Sequence, residues 1–200
     1  MEKSLKKTAE IISFILNPLV LAFCIILIGI DRSNLPQKQM IVFTILVLLF
    51  NGLAPIYFYL ELLRRKIVFD DVLSNEKALK NRPMVLGWWM ISFLMQGFLV
   101  RLLGIIDPLF NIFIILFILT FILFLISLSK KISLHMAYST LFALMIIYIF
   151  SWSFWPILLI IPLIAWSRYY LMRHTAKQLL AGVLISSIVA SSMYLLLTKF

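Results

Sequence analysis

Leu109-Phe110-Asn111-Ile112-Phe113-Ile114-Ile115-Leu116-Phe117-Ile118-Leu119-Thr120-Phe121-Ile122-Leu123-Phe124-Leu125-Ile126-Ser127 is an apolar run without a single charge. A hydrocarbon core about 30 Å thick is crossed by about 20 helical residues, because backbone groups in lipid must be satisfied within the segment. Six further stretches are predominantly apolar, with Arg101, Arg168 and Lys177 the charges among them: Ile11–Ile30, Met40–Leu60, Met84–Leu103, Ser133–Phe150, Trp155–Tyr170 and Thr175–Leu197. None alternates in the manner of a barrel strand. The expected fold is all-α, a polytopic membrane helical bundle of about seven spans, with residues 1–200 forming a single integral membrane domain.

Composition agrees. The chain is 64% hydrophobic and 13% charged, with a mean hydropathy of +1.09, where soluble domains run near about 45–50% apolar and about 25% charged. No small-residue cleavage site follows the first apolar run, so that run reads as a retained span. Cys24 is the only cysteine and has no partner for an intrachain disulfide. The tryptophans gather near span ends, the headgroup level that this side chain prefers.

A net charge of +10 points to anionic partners, and in a membrane protein these are lipid headgroups or a phosphorylated substrate, not nucleic acid. With seven spans, fourteen of the 18 Lys and Arg residues share one face with the N-terminus. Arg32, Lys38, Arg101 and Lys199 remain for the other. The crowded face is therefore expected in the cytoplasm, in an inner or plasma membrane.

Three polar clusters interrupt the apolar pattern. They are Asn75 to Pro83, Lys130 to His135, and Ser167-Arg168 with His174 and Gln178. Two spans separate each from the next, so an even number of crossings returns all three to one membrane face. His174 and Gln178 are four residues apart at a helix start, on one side of the helix. The Gln178 oxygen is placed to accept a proton from His174, leaving the other ring nitrogen to attack. Ser133 and His135 open a span, where free N–H groups favour anions. Arg82 and Arg168 offer planar donors that suit phosphate oxygens, and Lys77 a flexible point charge.

On these residues the chain resembles the type 2 phosphatidic acid phosphatase superfamily, over roughly Lys77 to Gly182. Arg82-Pro83 match the end of a Lys-x6-Arg-Pro signature. Ser133 and His135 match Pro-Ser-Gly-His. Ser167-Arg168, five residues and His174 match Ser-Arg-x5-His-x3-Asp. The resemblance implies a six-helix core and a lipid phosphatase that needs no cofactor or metal. It also implies His174 as the nucleophile forming a phosphohistidine, His135 as general acid, and Arg82, Arg168 and Ser133 holding phosphate. The chain departs from the pattern where the first lysine falls on Asn75, where Ile132 and Leu134 replace Pro and Gly, and where Gln178 replaces the final acid.

Other polar interruptions read as structure. Asn17-Pro18 and Asn51-Gly52 with Pro55 are expected to kink spans one and two. Arg65 to Lys80 reads as an interfacial segment, and Arg101 is expected to pair with Asp107 or water. The rival to an enzyme is a lipid-binding scaffold that keeps the site's shape with little or no turnover. A transporter would want ionisable groups deep in several spans, whereas here they sit at borders. The oligomeric state is not encoded in any of these features.

Overall fold

An apolar chain in hydrocarbon must close its backbone hydrogen bonds within helices or a barrel, and this chain uses helices. The computed structural model describes residues 2–54, 57, 60, 61, 64, 82–105 and 108–197, and all regular structure among them is helical. In chain order the helices are α1 (Glu2–Ile15), α2 (Pro18–Arg32), α3 (Gln37–Val47), α4 (Arg82–Leu102), α5 (Leu109–Ser127), α6 (Leu134–Phe150), α7 (Ile160–Tyr170) and α8 (Ala176–Leu197). A π-helical turn, Leu48–Leu53, extends α3, and a 3₁₀ stretch, Trp152–Leu159, precedes α7.

Among the described residues, three stretches are long and apolar enough to cross a membrane: Lys3–Arg32, Pro83–Leu102 and Leu109–Ser127. Gln37–Leu53, Leu134–Phe150 and Ala176–Ser192 are shorter apolar helices. The expected sixth span is not one α-helix, since its first part is the 3₁₀ stretch around Pro156. Hydropathy reports what a segment is soluble in, and it is blind to whether its turns close at three residues or four.

The expected kink at Asn17-Pro18 is a full break between α1 and α2. Asn17 Oδ1 accepts the Leu19 N–H at 2.9 Å, so the asparagine caps α2. Pro18 takes the first helical position, where its missing N–H costs nothing.

The chain divides into two compact units, Met1–Ala22 with Lys131–Phe200, and Phe23–Lys130. In the first, Met136, Ile164 and Leu179 form a buried cluster flanked by Ile12, Leu16, Ile161, Ala165 and Val183. Helices α1, α6, α7 and α8 thus share one core. Gly182 sets the approach of α8 to α6. A Cβ there would stand 2.8 Å from the Ser133 carbonyl oxygen and 3.0 Å from Met136 Cβ. Next along α8, Ser186 Oγ donates to the Ala137 carbonyl at 2.7 Å.

In the second unit α4 packs along α5. The buried residues of α5 include Leu109, Ile112, Phe113, Leu116, Leu119 and Leu123, a helical stripe that hydropathy cannot reveal because both faces are apolar. On α4, Ile91, Met95, Phe98 and Leu102 form an exposed apolar stripe of the kind lipid covers. Asn51 lies in the π-helical turn, donates to Gln96 Oε1 at 3.0 Å and accepts from Ser92 Oγ at 2.9 Å. Gln96 Nε2 closes the triangle on Ser92 Oγ at 2.8 Å. All three are buried. The Asn51 interruption is therefore an interhelical polar contact set on an irregular turn. Asp107, the expected partner of Arg101, lies outside the described residues; Arg101 sits 6.0 Å over the Phe110 ring.

Candidate functional site

The site is built from four helix ends of the first unit. Ser133 adopts an extended conformation before α6, and its Oγ accepts the Met136 N–H at 3.4 Å. It is the N-cap, satisfying one of the amides that the first helical turn leaves open. Ser133 is fully buried, and His135, two residues further on in the first turn of α6, is 4% exposed.

Helix α7 ends in a Schellman closure. The Met172 N–H donates to the Tyr169 carbonyl at 2.9 Å and the Arg173 N–H to the Arg168 carbonyl at 3.0 Å. Met172 holds the left-handed position at φ +53°, a place usually given to glycine. This tight reversal carries the chain from Arg168 to His174 in six residues and starts α8 at once.

Thr175 and Gln178 form a reciprocal cap at the start of α8. The Gln178 N–H donates to Thr175 Oγ1 at 3.4 Å, and the Thr175 N–H donates to Gln178 Oε1 at 3.2 Å. His174 Nδ1 stands 3.1 Å from the same Oε1. A backbone N–H can only donate, so the amide atom facing it is oxygen, and His174 Nδ1 must carry a proton to reach it. The neutral ring then has its lone pair on Nε2. His174 is 6% exposed.

Ser13 of α1 joins the remaining parts. Arg168 Nη1 donates to Ser13 Oγ at 2.6 Å. His135 Nε2 lies 3.2 Å from the Ser13 carbonyl oxygen and 3.5 Å from its Oγ. One turn earlier, Ser167 Oγ donates to the Ala9 carbonyl at 2.6 Å. The Ser133 N–H reaches the Gln178 carbonyl at 3.4 Å, tying the start of α6 to the first turn of α8.

Arg168 is the electrostatic anomaly. It is 6% exposed, its Nε has no hydrogen-bond partner, and no ion pair among the described residues includes it. A buried cation whose side-chain partner among the described residues is a neutral hydroxyl is costly, and an anion offsets that cost. Among the described residues no group of three or more His, Cys, Asp or Glu side chains could hold a metal ion.

The structure thus brings together five of the seven expected site residues: Ser133, His135, Arg168, His174 and Gln178. Lys77 lies outside the described residues. Arg82 opens α4 in the second unit, and its side chain is likewise outside them. Two participants carry no such expectation. Thr175 was legible, since Thr-x-x-Gln before an apolar run is a capping signature. Ser13 was marked only by being the one polar side chain between Ile11 and Leu16. Compared with protein-family models, curated proteins and solved structures, the chain matches none.

Proposed function

We propose that this chain is a divergent membrane lipid phosphatase of the type 2 phosphatidic acid phosphatase superfamily, acting on a lipid phosphomonoester or pyrophosphate. The observation that carries the reading is the buried Arg168 guanidinium, without a carboxylate partner among the described residues, sharing Ser13 with the buried His135 in the unit that also holds the buried His174 against Gln178. Phosphate is the anion whose chemistry uses all three groups.

In this mechanism the His174 Nε2 lone pair attacks phosphorus, a P–N bond forms and the P–O bond to the lipid breaks. His135 supplies the proton that the leaving oxygen takes. Water, giving a proton back to His135, then attacks the phosphohistidine, and inorganic phosphate leaves as the P–N bond breaks. Arg168 and the N–H groups opening α6 stabilise the equatorial oxygens. No cofactor takes part. The order of apolar segments supports seven crossings around a six-helix core, and the Lys and Arg bias supports a cytoplasmic site beside a lipid substrate.

A second reading is a lipid-phosphate-binding scaffold with little turnover. It is favoured by Gln178, whose oxygen already serves the helix cap and carries no charge to stabilise an imidazolium. Gln178→Asp separates the two: a large gain in turnover supports an eroded enzyme, a loss supports a tuned one. The test of the main reading is phosphate release from phosphatidic acid, phosphatidylglycerol phosphate and polyprenyl pyrophosphate. Activity should be present in the wild type and lost in His174→Ala. Wild-type turnover that His174→Ala leaves untouched rejects the mechanism.

A further inference from the structure

We propose that Ser13, on a helix outside all three signature regions, is a positioning residue that sets both Arg168 and His135 for the phosphate. The inference rests on the phosphate-site reading above and names a part that it lacks.

The argument begins with the break at Asn17-Pro18. Helix α1 ends at Ile15, so the Ser13 carbonyl belongs to the last turn, whose acceptors have no regular intrahelical partner. His135 Nε2 fills that role at 3.2 Å. A carbonyl only accepts, so Nε2 carries a proton, and the nitrogen of His135 that exchanges a proton during turnover is Nδ1.

The hydroxyl of the same residue accepts from Arg168 Nη1 at 2.6 Å. Its own hydrogen remains to be donated, and a phosphate oxygen drawn to Arg168 is the natural acceptor. Ser13 therefore works through its carbonyl on the acid and through its hydroxyl on the cation.

The placement is held on both sides along α1. Ala9, one turn earlier, is fixed by Ser167 Oγ at 2.6 Å. Ile12 and Leu16 pack against the cluster of Met136, Ile164 and Leu179. Ser13 itself is buried. Without its oxygen, the guanidinium loses its one side-chain acceptor among the described residues and can swing away from the anion position.

The experiment titrates inorganic phosphate into the full-length protein in detergent micelles by calorimetry, and measures kcat and KM on phosphatidic acid. Ser13→Ala should weaken phosphate binding by about tenfold, as expected for a bond to a charged donor, and raise KM more than it lowers kcat. Ser13→Thr, which keeps the hydroxyl, should restore both to within about twofold. Ser13→Cys, close in size with a poor acceptor, should behave as Ser13→Ala and covers a folding failure of the alanine variant. If Ser13→Ala binds phosphate as the wild type does while Arg168→Ala does not, the role of Ser13 is rejected and the phosphate site stands. If the wild type takes up no phosphate, the site itself is rejected, and Ser13 with it.

Discussion

The side-chain oxygen of Gln178 accepts from His174 Nδ1 at 3.1 Å and from the Thr175 backbone N–H at 3.2 Å. One atom thus caps a helix and fixes a histidine tautomer. Gln178→Ala should lower thermal stability by about 1 kcal/mol, the usual cost of a lost cap. It should also reduce turnover on phosphatidic acid, because the imidazole loses its orienting acceptor. Unfolding midpoints and kcat measured side by side check this, and a stability loss with unchanged kcat would separate the cap from the chemistry.

Gly182→Ala should be among the most damaging small substitutions in α8. The added Cβ meets the Ser133 carbonyl at 2.8 Å and the Ala137 amide nitrogen at 3.2 Å, both backbone atoms that cannot rotate aside. Overpacking of this kind costs about 1–3 kcal/mol. Phosphate binding should fall with stability, since the displaced turn carries Ser133 and His135. A thermal melt matching the wild type would contradict the packing.

Met172→Gly should act in the other direction. The methionine is 93% exposed at φ +53°, so little packing is lost and backbone strain is relieved. The expected gain is roughly 0.5–1 kcal/mol, reduced somewhat by the greater freedom of glycine in the unfolded chain. Phosphate affinity should be unchanged. A destabilised variant would show that the Met172 side chain has a partner that the isolated chain does not display.

Asn51 and Gln96 should behave as a coupled pair. Asn51→Ala and Gln96→Ala each leave polar atoms of a buried triangle unpaired. Each should cost about 1 kcal/mol, and the double variant less than the sum by about 0.5 kcal/mol or more. Unfolding in mixed micelles measures the cycle, and strict additivity would show that the triangle contributes nothing.

What the chain discloses from its letters divides along physical lines. Leu109–Ser127 is readable because solubility in hydrocarbon is a property of composition, and a charge-free run of that length has few alternatives. His174 with Gln178 is readable because four residues are one helical turn. The break at Asn17-Pro18 leaves a signature, yet its consequence does not: the carbonyl it leaves in the last turn of α1 meets a histidine 122 residues away. The buried face of α5 is hidden because its lipid side is as apolar as its protein side. Contacts between distant helices follow from shape, and shape is not written in hydropathy.

The central claim is that His174 carries the phosphoryl group. Its most direct test is to quench the protein during incubation with phosphatidic acid and map the modified residue by mass spectrometry under alkaline conditions, where a phosphohistidine survives. The account predicts phosphate on His174, and in His174→Ala no phosphohistidine anywhere in the chain together with a loss of turnover of at least about 10³-fold. Sustained phosphate release by the wild type with the label on another residue, or undiminished release by His174→Ala, would contradict it.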